Sequence, residues 1–276
     1  MRYWTVKDLR MLKSLLWLVL LLSSHGIRAQ VIDTLIDVGH YKLHFKIIKG
    51  DSTEILFESG GGITLAQWDS IITPVHSRTG ATIITYDRQG FGTSGFDTSN
   101  YKILNEIKGL ETGLRKLGYG SKPILLVGHS LGAFYARVYA SRNVALTKCI
   151  VMLDPRIPSF ADMAFARSVY DSLDSVTLKN ESLALYYVLA NMERNSDFVR
   201  RIPIKPGLPI LNVMAETGPF DSVLDNERFQ SDQRSFVKEG SNRVLMLAKG
   251  STHNIPLDQP QLVIDQIVSY YKKYLN

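Results

Sequence analysis

The stretch Pro123–Gly132 constrains the fold of this chain more than any other part of the sequence. It begins with the unbroken apolar run Ile124–Val127, which is typical of a strand buried on both faces of a sheet. The run ends in Gly-His-Ser-Leu-Gly, and Ala133–Ala140 then predicts a helix. Glycine on both sides of Ser130 allows a sharp turn, because side chains there would collide with the strand or the helix. The pattern predicts that the Ser130 hydroxyl lies at a helix N-terminus, where the helix dipole favours negative charge.

This Gly-x-Ser-x-Gly turn between a strand and a helix resembles the nucleophile elbow of the α/β-hydrolase superfamily, in particular of its serine esterases and lipases. The resemblance extends from about Thr53 to the C-terminus. It implies an α/β-hydrolase fold, with a mostly parallel sheet of the eight-stranded type, helices on both faces and a helical cap insertion. It also implies that Ser130 is a nucleophile. The alternative is that Ser130 only caps the helix.

The first 29 residues have the pattern of a secretory signal peptide, which leaves residues 30–276 as one α/β-hydrolase domain. Basic residues are followed by the apolar run Leu15–Leu22, and small Ala29 precedes the expected cleavage point. The run is shorter than the ~20 residues that span a bilayer. We therefore expect export to the periplasm or the medium, with no stable membrane insertion after cleavage. An uncleaved signal that tethers the domain to the membrane is the alternative.

Charge and composition argue against several partners and cofactors. The chain has a formal net charge of +6, but five basic residues and one acid lie in the first 29 residues, so the remainder carries only +2. We therefore expect no nucleic-acid partner. The single cysteine, Cys149, begins an apolar run and predicts a buried thiol without an internal disulfide. The sequence has no metal-ligand cluster, and we expect no metal or organic cofactor.

A second glycine cluster, Ser59-Gly-Gly-Gly, directly follows the predicted strand Thr53–Glu58. In the superfamily, the loop at this place supplies one N–H of an oxyanion hole, and the residue after the nucleophile supplies the other. The resemblance therefore assigns these donors to Gly61 and Leu131, with Gly62 as the alternative to Gly61.

The string Asp87–Ser94 resembles the Asp-Arg-x-Gly-x-Gly-x-Ser turn that is common in the superfamily. We interpret its charged pair as structural, and we expect Arg88 to pair with Glu58 beneath the loop Ser59–Gly62, which we call the oxyanion loop.

His253 follows the last predicted strand, Arg243–Lys249, and precedes the segment Leu257-Asp-Gln-Pro. This context and the order serine, acid, histidine resemble the catalytic histidine of α/β-hydrolases. The other histidines lie in the leader, in early strands, at a helix end or inside the elbow. His253 is therefore the predicted general base.

Three residues are candidates for the acid that would orient His253. Asp154 ranks first, because it ends the strand after the elbow, the place used by certain lipases. Asp221 ranks second and Glu216 third, because most family members carry the acid after the next strand, which ends near Ala215. The alternative role for Asp154 is a strand-end turn with Pro155.

Residues 156–207 contain no predicted strand and match the helical cap of the superfamily. Apolar residues recur at helical spacing in Phe160–Leu173 and in Leu183–Met192.

The elbow, the predicted oxyanion donors, the histidine and the candidate acids together predict a serine hydrolase that cleaves a carboxylic ester or related acyl bond of a small molecule. An aminopeptidase or amidase is the alternative within the fold, with cap acids as the amine-binding groups. A non-catalytic ligand-binding module is a third possibility.

Overall fold

The computed structural model describes residues 30–276, and these residues form one eight-stranded sheet surrounded by helices. The strands are β1 (Val31–Asp37), β2 (Lys42–Ile48), β3 (Glu54–Glu58), β4 (Thr82–Tyr86), β5 (Ile124–His129), β6 (Thr147–Leu153), β7 (Ile210–Ala215) and β8 (Arg243–Ala248). Their order across the sheet is β1-β2-β4-β3-β5-β6-β7-β8. Strand β2 runs antiparallel to β1 and β4, and the other neighbours are parallel. This mostly parallel sheet confirms the predicted fold class.

Ten α-helices accompany the sheet in residues 30–276. They are α1 (Asp69–Thr79), α2 (Ile103–Leu117), α3 (Gly132–Arg142), α4 (Phe160–Asp171), α5 (Ser175–Glu181), α6 (Leu183–Ala190), α7 (Met192–Arg200), α8 (Val223–Lys238), α9 (Ile255–Asp258) and α10 (Pro260–Tyr274), with a 3₁₀ helix at Leu65–Trp68. None of these helices is long and apolar enough to cross a membrane.

The central strands are buried because helices cover the sheet. Every residue of β3, β4, β5 and β7 is buried, which explains their unbroken apolar character. Helix α1 packs with α10, and α2 packs with α3. The amphipathic helix α2 buries Ile103, Ile107, Leu110 and Leu114, and it is capped by Gly118 with a φ of 81°. The sheet thus presents the carboxyl ends of its parallel strands at one edge, where α/β proteins place their ligands.

Between β6 and β7 the chain forms four helices, α4 to α7, where the sequence predicted two helical stretches. Polar residues with side-chain caps divide the segment. The Asp174 carboxylate accepts hydrogen bonds from two N–H groups of α5, and Ser182 Oγ accepts one from Leu185 of α6. Each cap starts a new helix, because its side chain satisfies backbone N–H groups that an interrupted helix leaves free.

Candidate active site

The turn after β5 places Ser130 at the start of α3 in a backbone conformation that is rare for serine. Its φ is 53°, in the left-handed region. The Ser130 N–H donates to the Leu153 carbonyl at 3.0 Å, and the Ser130 carbonyl accepts from the Arg156 N–H at 3.1 Å. The end of β6 therefore holds the strained turn, as expected where the surroundings must impose such a conformation.

Glycine is required on the helical side of this turn. A side-chain Cβ on Gly132 would overlap the carbonyl oxygens of Glu58 and Ser59, which belong to the end of β3 and the oxyanion loop. On the strand side, a Cβ on Gly128 would lie 3.0 Å from the backbone of Gly132. Gly132 therefore lets the elbow pack directly against the oxyanion loop, and Gly128 leaves room for the backbone of the elbow itself.

Asp154 and His253 meet at the carboxyl edge of the sheet. Asp154 Oδ2 lies 2.6 Å from His253 Nδ1. Asp154 Oδ1 accepts hydrogen bonds from the Ala215 N–H at 3.0 Å and from Gln233 Nε2 at 2.8 Å. The carboxylate is fully buried. Three donors therefore satisfy this buried group with hydrogen bonds.

The two other candidate acids do not reach His253. Glu216 is exposed and accepts a hydrogen bond from the Gly250 N–H, and Asp221 is exposed beyond the end of β7. The register of the sheet explains the difference, because Leu153 of β6 lies beside Val213 of β7. Asp154 thus comes next to β7, where its N–H donates to the Val213 carbonyl at 2.6 Å.

The loop of His253 is held by the segment that follows it. Asp258 Oδ2 accepts from the Thr252 N–H at 2.8 Å and from Thr252 Oγ1 at 2.6 Å. The Phe229 ring lies 5.8 Å from the His253 ring, in an edge-on arrangement. The His253 side chain is 23% exposed. It is therefore fixed on its Asp154 side and accessible from outside.

Among the described residues, no hydrogen bond joins Ser130 Oγ to His253. In serine hydrolases this hydrogen bond forms or shortens when substrate binds.

Gly61 faces the elbow. A Cβ built on Gly61 would lie 3.4 Å from Leu131 Cδ2, whereas one on Gly62 would meet Leu185 of the cap. Within residues 30–276, neither the Gly61 N–H nor the Leu131 N–H donates a hydrogen bond. The two N–H groups predicted as oxyanion donors are therefore free to bind a ligand atom.

The expected pairing of Arg88 with Glu58 is not observed. The Arg88 guanidinium instead donates to the Ser59 carbonyl at 2.6 Å and to the Gly60 carbonyl, so it anchors the oxyanion loop. Glu58 Oε2 accepts from the Tyr86 hydroxyl at 2.7 Å. Burial raises the pKa of Glu58 to about 8, although the nearby Arg88 charge opposes this shift. A carboxyl that is largely neutral at pH 7 has little need of an ion pair.

Two glutamine side chains that no sequence pattern indicated support this site. Gln233 of α8 holds Asp154, and Gln67 of the 3₁₀ helix binds the oxyanion loop and His129. No motif marked either residue, since a glutamine on a helix is usually a surface residue.

In residues 30–276, no three His, Cys, Asp or Glu side chains are placed to hold a metal ion. Burial raises the pKa of Cys149 to about 12, which keeps this thiol protonated.

Comparisons with known proteins agree with this architecture. The sequence model of the Alpha/beta hydrolase family matches residues 55–266. The uncharacterized protein YqjL of Bacillus subtilis is 27% identical over 221 residues, which cover 80% of this chain and 84% of YqjL.

Several solved structures share the fold at low sequence identity. A bromoperoxidase from Bacillus anthracis has a TM-score of 0.62 at 16% identity and covers 87% of this chain and 100% of its own. The haloalkane dehalogenase DatA from Agrobacterium tumefaciens has a TM-score of 0.62 at 13% identity, covering 90% and 98%. The thioesterase domain of the curacin biosynthetic pathway has a TM-score of 0.57 at 15% identity, covering 87% and 99%. These similarities show a common fold and several different reactions.

Proposed function

Because the chain belongs to the Alpha/beta hydrolase family, we propose that it is a serine hydrolase that cleaves a carboxylic ester or related acyl bond of a small molecule. The observation that carries this proposal is the 2.6 Å contact between Asp154 and His253 at the same sheet edge as the Ser130 elbow. Solved relatives include a dehalogenase and a thioesterase. The fold alone therefore does not select the reaction, and the proposal depends on the residues of the site.

The proposed mechanism assigns each residue one task. Asp154 accepts a hydrogen bond from the Nδ1–H of His253, so Nε2 has a free lone pair to take the proton of Ser130. Ser130 Oγ then attacks the acyl carbon, and the N–H groups of Gly61 and Leu131 bind the oxygen that becomes negative. His253 returns the proton to the leaving alcohol. Water, deprotonated by His253, then hydrolyses the acyl-enzyme.

Two of the cap acids, Asp162 and Asp174, are bound within the protein and are not available to a cationic amine of a substrate. Asp162 is buried and lies 2.8 Å from Arg156 Nε, and it accepts from Ser196 Oγ at 2.6 Å. Asp174 caps α5. These two acids are therefore occupied within the protein, whereas the cap acids Asp171 and Glu181 are exposed.

Active-site labelling with a fluorophosphonate tests the proposal and separates it from a non-catalytic binding module. We expect wild-type protein to be labelled and Ser130→Ala to remain unlabelled, with ester hydrolysis reduced on the order of 10⁴-fold or more. A folded Ser130→Ala protein with wild-type turnover would contradict the serine mechanism. A parallel screen of acyl esters against amides separates the ester proposal from the amidase alternative.

We also propose that the protein is exported, with cleavage after Ala29. The proposed signal peptide, residues 1–29, lies outside the described residues, so this proposal rests on the sequence pattern. N-terminal sequencing of protein from the source cell tests it. A mature chain that starts at Gln30 supports cleavage, and Met1 in a membrane fraction supports the tethered form.

A further inference from the structure

A chain of hydrogen bonds connects the oxyanion loop to the loop that carries His253. The Gly60 N–H donates to Gln67 Oε1 at 3.0 Å. Gln67 Nε2 lies 2.7 Å from His129 Nδ1, and His129 Nε2 lies 2.9 Å from the His253 carbonyl oxygen. His129 is the elbow residue directly before Ser130. The chain therefore touches three parts of the proposed machinery.

The chemistry of the two ends determines the direction of every bond in this chain. The Gly60 N–H can only donate, so Gln67 presents its oxygen to Gly60 and its amide hydrogens to His129. The His253 carbonyl can only accept, so His129 carries its proton on Nε2. His129 Nδ1 is then an acceptor for Gln67. Only the His129 tautomer with a proton on Nε2 satisfies every donor and acceptor of this hydrogen-bond chain.

The surroundings keep His129 neutral and immobile. Its side chain is buried, and burial, followed by the proximity of His253, lowers the pKa of His129 to about 3. A Cβ on Gly60 would lie 2.8 Å from His129 Nδ1, so the imidazole fits directly beneath the loop. The ring centroids of His129 and His253 are 4.8 Å apart. A neutral His129 does not repel the imidazolium that forms on His253 during acyl transfer.

We propose that Gln67 and His129 are positioning residues that hold the oxyanion loop and His253 in fixed places relative to Ser130. This inference rests on the proposed function. It also explains how Gly61 becomes available as an oxyanion donor. The Gly60 N–H is bound by Gln67, and the Gly60 carbonyl is bound by Arg88, so the two peptide groups that precede the Gly61 Cα are both held.

The first test is Gln67→Met, which keeps the side-chain length and removes both hydrogen bonds. We expect kcat for an acyl ester to fall on the order of 10- to 100-fold, because small displacements of the reacting groups lower the rate by such factors. KM should change less than about threefold. Gln259→Met is the matched control. Gln259 donates to the Lys249 carbonyl at 2.6 Å, near the His253 loop but outside the hydrogen-bond chain. The Gln259→Met variant should retain wild-type kcat.

The second test, Gln67→Glu, separates positioning from simple support of the loop. The new carboxylate can still accept from Gly60, but it offers His129 Nδ1 an acceptor in place of a donor. We therefore expect kcat to remain as low as in Gln67→Met. A role in supporting the loop alone predicts that Gln67→Glu recovers wild-type kcat, and that result would overturn the proposal. Wild-type kcat in Gln67→Met would overturn it as well.

A nitrogen-15 NMR measurement of His129 tests the chain without any activity. In wild-type protein we expect a proton on Nε2 and none on Nδ1 from pH 5 to 9. In Gln67→Glu, His129 should stay neutral with its proton on Nδ1 and none on Nε2, which removes the hydrogen bond to the His253 carbonyl. A wild-type proton on Nδ1 would overturn the bond order on which the proposal depends. If wild-type protein is not labelled by fluorophosphonate, the proposed function fails, while the NMR result still decides whether the chain exists.

Discussion

At the scale of single residues, the backbone of Asp154 explains why an aspartate stands at the end of β6. Its φ is 39°, a conformation in which aspartate is several-fold enriched among non-glycine residues. Its carboxylate accepts from Ala215, Gln233 and His253 at once. One short acidic side chain therefore joins the ends of two strands, helix α8 and the His253 loop.

Asp154→Asn should lower kcat by about 10⁴-fold, whereas Asp221→Asn should leave kcat within about twofold of wild type. The amide of asparagine would donate toward His253 Nδ1 and favour the tautomer that cannot accept the Ser130 proton. Steady-state kinetics on one acyl ester measure both effects. Circular dichroism of each variant serves as the control for folding, since Asp154 also binds the Ala215 N–H. A folded Asp154→Asn enzyme with normal kcat, beside an inactive Asp221→Asn enzyme, would reverse the assignment.

At the scale of secondary-structure elements, the contact of α3 with β3 sets the geometry of the elbow. The first residue of α3, Gly132, lies against the carbonyls of Glu58 and Ser59. These carbonyls belong to backbone, which cannot move aside without disturbing the sheet. Close approach of α3 to β3 therefore brings the Ser130 turn next to the oxyanion loop.

Gly132→Ala should destabilise the fold by about 2–3 kcal/mol or more, because its methyl group would overlap backbone atoms. Gly118→Ala is the matched comparison. Gly118 has a φ of 81° and no atom within 4 Å of an added Cβ, so the cost there is conformational, about 1 kcal/mol. Urea unfolding measures both values. Equal losses in the two variants would show that crowding by β3 is not the reason for glycine at the elbow.

At the scale of the whole molecule, buried carboxyl groups link folding stability to pH. Burial raises the pKa of Glu58 to about 8 and that of Glu106 to about 7, with the Arg88 charge opposing both shifts. The folded state therefore holds protons on these groups at a pH where the unfolded chain releases them. Such a group stabilises the fold fully below its unfolded pKa of about 4.5, and this stabilisation is lost as pH rises through the folded pKa.

We expect the free energy of unfolding of wild-type protein to decline from about pH 5 to pH 8 more steeply than that of Glu58→Gln. One retained proton changes this free energy by at most about 1.4 kcal/mol per pH unit. Glutamine keeps an acceptor for the Tyr86 hydroxyl and cannot ionise. Urea titrations at a series of pH values measure the difference, in which groups common to both proteins, such as His129, cancel. Parallel curves for the two proteins over this range would contradict the raised pKa of Glu58.

Much of the fold could be predicted from the sequence, because local patterns record local constraints. The apolar run of β5, the glycines around Ser130 and the helical spacing of α2 each follow from burial or backbone conformation of nearby residues. The predictions were correct to within a few residues for the strands Thr53–Glu58, Ile124–Val127 and Arg243–Lys249 and for the helix Ala133–Ala140, but not for the cap. In the cap, the side chains of Asp174 and Ser182 each start a new helix, and the spacing of apolar residues does not mark these helix boundaries.

By itself, the sequence determined the α/β architecture, the turn that presents Ser130 and the loop that carries His253. Only the tertiary structure decided which acid lies beside His253, because Asp154 is 99 positions away and meets it through the placement of β6 next to β7. Tertiary structure alone also revealed that Arg88 holds loop carbonyls and that Gln67 and His129 join two loops. These contacts link residues distant in sequence, and their distances depend on strand order and register, which no local pattern records.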